Sequence, residues 1–120
     1  MASQLFVDLY ACDDGITNDC EAIKKIAREA IKEINSEIVE ECIHRFEPIG
    51  ITYIAVITAS HFSIHTWPEN GYVAIDIFSC EEEVPDALAE KLKGAFGAKR
   101  HLIGRYERKI EGRSKVWSIQ

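Results

Sequence analysis

The sequence of 120 residues lacks the features that would assign it to several broad classes of proteins. Its apolar runs are all shorter than the roughly 18 residues that a membrane span needs, and the start, MASQLFVDLY, has no basic region of the kind that opens a signal peptide. Basic residues are few: 14 Lys and Arg stand against 20 Asp and Glu. The resulting charge of −6 argues against a nucleic-acid or anionic-membrane surface. We therefore expect a cytoplasmic protein with neither nucleic acid nor membrane as a partner.

Paired cysteines are also absent. The four cysteines, at positions 12, 20, 42 and 80, form no C-x-x-C pair and have no histidine at a spacing suited to zinc. Free thiols in a reducing compartment and no metal site are the simplest interpretation. The chain also has no internal repeat and no linker, which predicts a single domain over residues 1–120.

Apolar periodicity predicts the secondary structure that is present. Residues that alternate with period two indicate six strands, in the segments LFVDLYAC, EIVEECIHRFE, ITYIAVITA, HFSIHTW, YVAIDIFSC and RHLIGRYERK. A helix with a stripe of Ile and Ala follows a capping box of Asn18 and Glu21, and a second helix runs from Pro85 to Gly97. The order β-α-β-β-β-β-α-β predicts an α+β fold, a mainly antiparallel sheet with two helices on one face.

Two helices can cover only one face of such a sheet. Several strands carry apolar residues on both sides, so the other face is either half-solvated or is used for dimerisation, and we favour the dimer.

The strands between residues 60 and 80 are expected to form a hairpin. Asn70 and Gly71 tolerate positive φ angles and mark a turn centred near residue 70. Residues whose numbers sum to about 140 should then face each other across the hairpin. Cys80 is then expected across from the neighbourhood of Ser60, while His65 should face Ile75 and Trp67 should face Val73.

Two interpretations of this hairpin remain open. A single serine, histidine or cysteine is usually an ordinary surface or core residue. His61, Ser63, His65 and Trp67, however, share one strand face, and such a polar and aromatic face suits a ligand cleft. His65 lies five residues from Ser60, roughly 17 Å along a straight strand, so the chain must bend near His61 if the two side chains are to meet.

The segment SHFSIHTWPENGYVAIDIFSC, with HRFEPIGIT and LFVDLYAC upstream, resembles the prokaryotic S-adenosylmethionine decarboxylase proenzymes. These are small pyruvoyl-dependent enzymes of polyamine synthesis. The similarity covers roughly residues 5–110. It implies decarboxylation of S-adenosylmethionine to the aminopropyl donor of spermidine synthesis, by a homodimer of cleaved protomers.

The resemblance also implies roles for individual residues. The chain is expected to cut itself between Ala59 and Ser60, turning Ser60 into a pyruvoyl group that forms a Schiff base with the substrate. Neither a metal nor pyridoxal phosphate is then required. His65 assists the elimination that follows the acyl shift, Cys80 is the catalytic acid, and Thr52 supports processing.

For the substrate's nucleoside, the resemblance implies that Phe46 stacks on adenine and that Glu69 binds the ribose hydroxyls, with Trp67 beside them. Two departures from the family pattern are Ala59, where relatives usually carry Glu, and Ser3-Gln4-Leu5, where Gly-x-His is common before the first strand. The alternatives are a pyruvoyl-dependent arginine or ornithine decarboxylase on the same scaffold, and an unprocessed, non-catalytic partner subunit.

Overall fold

The computed structural model describes residues 2–80 and 84–109. Six strands form one sheet, in the order β2-β3-β4-β5-β1-β6, and every neighbouring pair is antiparallel. The strands are β1 (Ala2–Tyr10), β2 (Ile38–Arg45), β3 (Ile51–Ile57), β4 (Ser60–Trp67), β5 (Tyr72–Ser79) and β6 (Arg100–Arg108). The helices are α1 (Asp14–Thr17), α2 (Cys20–Glu33) and α3 (Asp86–Ala95), and a 3₁₀ turn covers Pro68–Asn70. This architecture confirms the predicted α+β fold and adds only the one-turn α1; the prediction of one domain over residues 1–120 extends past the described residues and stays a prediction.

The core lies between one face of the sheet and helices α2 and α3. Alternate residues of the strands are buried on this face, and the apolar stripe of α2 packs against them, as its spacing predicted. Large side chains that are fully buried here include Leu5, Leu9, Ile23, Ile31, Tyr53, Phe62, Ile64 and Ile75.

The helix cap differs by one residue from the prediction. Helix α2 is capped by Asp19, whose carboxylate accepts hydrogen bonds from the backbone N–H groups of Glu21 and Ala22 at 3.0 and 3.2 Å. The side chain of Asn18 instead accepts a hydrogen bond from the N–H of Gly50 at 3.1 Å. A tertiary contact thus engages the predicted capping side chain, and the neighbouring carboxylate replaces it at the helix end.

The hairpin of β4 and β5 also has a register one residue away from the prediction. His65 faces Ala74 and not Ile75, and Trp67 faces Tyr72 and not Val73. The physical reason is the turn: the 3₁₀ turn and Gly71, at φ 61°, make a four-residue loop, so the hairpin is centred between residues 69 and 70.

The second face of the sheet, which we call the open face, is not covered by any described element. Ile54, Val56 and Leu102 lie on it with 46%, 50% and 62% of their surface exposed. Asp76 also lies on the open face, opposite Phe6 of β1, which explains how an interior strand accommodates a carboxylate. No helix in residues 2–80 and 84–109 is long and apolar enough to cross a membrane.

Candidate active site

The predicted site residues fall into two groups at opposite ends of strand β4. Strands β3 and β4 are antiparallel neighbours, so the end of β3 and the start of β4 meet at one end of the sheet. The start of β3 and the end of β4 meet at the other end. We call the first group the hairpin corner (Thr58, Ala59, Ser60, Cys80) and the second the aromatic pocket (Phe46, Ile49, Gly50, Thr52, His65, Thr66, Trp67, Glu69).

The hairpin corner contains the predicted cleavage position in a tight turn. Ile57 pairs directly with Ser60, which leaves only Thr58 and Ala59 to connect the two strands. The backbone of Thr58 donates to the carbonyl oxygen of Glu37 at 3.0 Å, and the Thr58 hydroxyl contacts both the N–H and the carbonyl of Glu37 at 3.3 Å. Ala59 has a φ angle of 57°, in the left-handed region that alanine rarely adopts. The turn is therefore anchored on one side and strained at the residue before Ser60.

The structure brings Ser60 and Cys80 together, as the hairpin predicted. The backbone N–H of Cys80 donates a hydrogen bond to the Oγ atom of Ser60 at 3.1 Å. Both residues are half-buried. This contact holds the Ser60 hydroxyl beside the residue that the resemblance makes the catalytic acid.

The aromatic pocket is a cavity of about 490 Å³ at the other end of β4. Its lining includes the three residues expected to hold a nucleoside, namely Phe46, Trp67 and Glu69. Phe46 and Trp67 are 48% and 41% exposed, so both rings are accessible to a ligand. The volume lies within the range of about 300–1,000 Å³ that is typical of small-molecule sites.

Thr52 and His65 also line this pocket, and they contact each other. The Oγ1 atom of Thr52 lies 2.9 Å from the Nδ1 atom of His65 in a side-chain hydrogen bond. The two residues pair directly across β3 and β4, on the open face of the sheet. This bond fixes the orientation of the imidazole ring and leaves Nε2 as its other polar atom.

Hydrogen bonds from backbone N–H groups shape the rim of the pocket. The N–H of Phe46 bonds the carbonyl of Gly50 at 2.8 Å, which closes the loop between β2 and β3. Gly50 has a φ angle of 112°, a conformation for which glycine is suited, and Asn18 binds its N–H. Thr66 accepts a hydrogen bond from the N–H of Ile51 at 2.9 Å. These contacts set the loop that carries Phe46 against the end of β4.

Sequence reasoning missed two residues that support Trp67. The ring of Tyr72 lies against the Trp67 ring, with 5.2 Å between the centroids. The hydroxyl of Tyr72 donates to Oδ1 of Asp8 at 2.7 Å. This hydrogen bond, followed by burial, raises the pKa of Tyr72 to about 12, so the phenol stays neutral at physiological pH. A correct hairpin register would have revealed the contact between Tyr72 and Trp67, because the two residues lie directly opposite each other.

His65 and Ser60 do not meet within one chain. Strand β4 runs without interruption from Ser60 to Trp67, so the bend near His61 that their meeting would require is absent. Five residues of strand separate the two, about 17 Å. Ser60 also faces the buried Ile57, whereas His65 faces Thr52 on the open face.

The cysteines differ in their surroundings. All four are free thiols. Burial raises the pKa of Cys12 to about 11, so this thiol stays protonated and is a poor nucleophile at neutral pH. Within the described part of the chain, no group of three or more His, Cys, Asp or Glu side chains is arranged to bind a metal ion.

Comparisons with known proteins agree on one family. A family model described as S-adenosylmethionine decarboxylase matches residues 3–109. The S-adenosylmethionine decarboxylase proenzyme of Thermotoga maritima is 40% identical over 113 residues, which covers 89% of this chain and 87% of the relative. The proenzyme of Pseudomonas aeruginosa is 38% identical, covering 93% of this chain and 71% of the relative. The crystal structure of the adenosylmethionine decarboxylase of Aquifex aeolicus superposes with a TM-score of 0.82 at 25% identity, covering 98% of both chains.

Proposed function

Because the chain belongs to the S-adenosylmethionine decarboxylase family, we propose that it cuts itself at Ser60 and then decarboxylates S-adenosylmethionine. The activity is that of a carboxy-lyase whose product is the aminopropyl donor of polyamine synthesis. Decarboxylation of arginine or ornithine and a non-catalytic role are not favoured. The observation that carries the proposal is the contact between Ser60 and Cys80 beside the strained Ala59.

Self-cleavage begins with an acyl shift at the hairpin corner. The Oγ atom of Ser60 attacks the carbonyl carbon of Ala59, the bond from this carbon to the Ser60 nitrogen breaks, and the hydroxyl proton ends on that nitrogen. The resulting ester is then eliminated: the Cα proton of Ser60 is removed, the Cβ–Oγ bond breaks, and Ala59 leaves as a carboxylate. Addition of one water and loss of ammonia complete the pyruvoyl group. The hairpin corner fits this sequence, since Ser60 is half-buried at a turn and its Oγ is held by the N–H of Cys80.

The pyruvoyl carbonyl would bind the substrate's amine and accept the electron pair that is released as carbon dioxide leaves. Cys80 adjoins this position and carries a thiol that can return a proton to the substrate's α-carbon. In the uncut chain the backbone N–H of Cys80 bonds the Oγ atom of Ser60, so residues 60 and 80 are neighbours at the hairpin corner. His65 is the candidate base for the elimination, with its ring oriented by Thr52.

The aromatic pocket is the proposed site of the adenosine moiety. Phe46 and Trp67 offer ring faces for adenine and for the positively charged sulfonium, and aromatic faces attract cations. Glu69 is exposed at the rim and can accept hydrogen bonds from both ribose hydroxyls. An amino acid such as arginine or ornithine would not use these three residues.

We further propose that a complete site is assembled from two chains. The hairpin corner and the aromatic pocket of one chain are about 17 Å apart along β4, too far for Ser60 and His65 of the same chain to act together in self-cleavage. A second copy that packs on the open face would bring its own pocket to the hairpin corner of the first. The exposed Ile54, Val56 and Leu102 support such an interface.

A cytoplasmic location is part of the proposal. It is supported by the four free thiols, which are typical of proteins in a reducing compartment.

Mass spectrometry of the denatured protein tests the proposal directly. The parent chain should give two fragments, residues 1–59 and residues 60–120, the second with a blocked amino terminus. Ser60→Ala should give a single full-length mass because it has no hydroxyl to attack, and Ser63→Ala, a matched serine of the same strand, should still be cut. The cut protein should release carbon dioxide from S-adenosylmethionine at a higher kcat/KM than from arginine or ornithine. A folded parent that stays at full length would contradict the proposal.

A further inference from the structure

Ala59 has a strained backbone at the residue that precedes the proposed cut. Three non-glycine residues of the described chain have positive φ angles: Ala11 at 54°, Asn35 at 58° and Ala59 at 57°. Asparagine tolerates this left-handed region, whereas the Cβ atom of alanine approaches the following carbonyl oxygen there. The exposed Ala59 therefore adopts a conformation that its own chemistry disfavours.

The surrounding contacts hold Ala59 in this conformation. The loop has only two residues, because Ile57 pairs with Ser60. Thr58 is anchored to Glu37 through its backbone and its hydroxyl, and Ser60 is held by the N–H of Cys80. With both neighbours fixed, Ala59 cannot relax while the peptide bond to Ser60 is intact. Strain that is maintained by neighbouring structure in this way clusters at functional sites.

We propose that Ala59 is a positioning residue for self-cleavage, and that its left-handed strain drives the acyl shift at Ser60. This inference rests on the proposed function. The shift exchanges the bond from the Ala59 carbonyl carbon to the Ser60 nitrogen for a bond to Ser60 Oγ, and the hydroxyl proton moves to the nitrogen. No oxidant, reductant or further reactant is needed.

The ester relieves the strain because it lengthens the loop. In the amide, one atom, the nitrogen, separates the Ala59 carbonyl carbon from the Ser60 Cα atom. In the ester two atoms, Oγ and Cβ, separate them. The longer connection allows Ala59 to leave the left-handed region, so the strain raises the free energy of the uncut chain but not of the ester. A larger fraction of ester is then available to the elimination that follows.

The experiment compares the cleavage rate of freshly refolded precursor for Ala59→Gly, Ala59→Asn and the parent. Glycine adopts positive φ without strain, and asparagine does so with less strain than alanine. Ala11→Gly is the matched control, because it relieves the same kind of strain at an exposed residue far along the chain from the cut. The same three substitutions in a Ser60→Ala background report the stability of the uncut chain by thermal unfolding.

Ala59→Gly should be cut about 5- to 30-fold more slowly than the parent, the factor that corresponds to the ordinary strain of a left-handed residue. The cleavage rate of Ala59→Asn should lie between those of Ala59→Gly and the parent, and Ala11→Gly should be cut at the parental rate. In the uncuttable background, the melting temperatures of both glycine variants should rise by a similar amount, about 2–6 °C. A cleavage rate of Ala59→Gly within about twofold of the parent, or equal slowing by Ala11→Gly, overturns the inference while leaving the proposed function intact. A parent that is never cut refutes the proposed function itself, and the inference with it.

Discussion

Mixing two inactive variants should restore self-cleavage if each site combines two chains. Ser60→Ala removes the nucleophile and keeps His65, and His65→Ala does the reverse. In a twofold-symmetric dimer of one of each, the Ser60 of one chain meets the His65 of the other at one of the two sites. The reason is the separation of about 17 Å along β4, which prevents the two residues from acting together within one chain.

The expected yield follows from random pairing. In an equal mixture half of the chains carry Ser60, and half of those pair with a Ser60→Ala partner, so about one quarter of all chains should be cut. Dimers purified through a different tag on each chain should reach about one half. The assay is mass spectrometry of the 60–120 fragment, which can come only from the His65→Ala chain.

A second mixture provides the reciprocal control. When the parent is paired with the double variant Ser60→Ala, His65→Ala, the parental Ser60 has no partner histidine, and the heterodimer should stay uncut. Cleavage of that heterodimer, together with none in the mixture of single variants, would show that His65 acts within its own chain and would refute the argument from strand length. Cleavage of His65→Ala alone at the parental rate would remove His65 from the mechanism.

Three further outcomes follow from the site and its supports. Phe46→Ala should raise KM for S-adenosylmethionine about 5- to 150-fold, equivalent to about 1–3 kcal/mol for loss of one stacking ring, and an unchanged KM would exclude Phe46 from the nucleoside site. Cys80→Ala should still be cut but should turn over about 10²–10⁴-fold more slowly per pyruvoyl group, and a rate within about threefold of the parent would exclude it as the acid. The hydrogen bonds from Arg28 and then Tyr53 hold the pKa of Glu41 below its usual range. The ionised carboxylate therefore stabilises the fold at pH values above the ordinary carboxyl pKa. This stabilisation is lost as the pH falls through the lowered pKa of Glu41 in the folded chain. Glu41→Gln should therefore lower the melting temperature at pH 7 and converge on the parent in acid; an equal deficit at pH 7 and below pH 4 would contradict this assignment.

The order of elements was predictable from the sequence because it depends on short-range periodicity. Strands such as β1 and β5 alternate buried and partly buried residues over most of their length, and α2 carries its apolar residues at helical spacing, so each segment identifies its own conformation. The family resemblance is likewise local, since its motif is one continuous segment. The proximity of Ser60 and Cys80 was also predictable, because a hairpin brings together residues that are close in sequence.

Boundaries and register were less predictable because they depend on single contacts. Asn18 has the right chemistry for a helix cap, but it binds Gly50, 32 residues away, and Asp19 takes the cap. Asn70 and Gly71 signal a turn correctly, yet the 3₁₀ turn that begins at Pro68 makes a loop of four residues, which shifts the register of the hairpin by one residue. The local sequence pattern alone shows neither which residue caps the helix nor which register the hairpin adopts.

The sequence by itself determined the fold class, the family and the residue types available for chemistry, since each is encoded in local pattern. Only the tertiary structure decided where those residues lie relative to one another. The uninterrupted course of β4 keeps Ser60 and His65 apart, and antiparallel pairing of β3 and β4 brings the loop that carries Phe46 to the end of β4, where the aromatic pocket forms. The left-handed φ angle of Ala59 is likewise a feature of the folded chain, in which the pairing of Ile57 with Ser60 closes the loop on two residues.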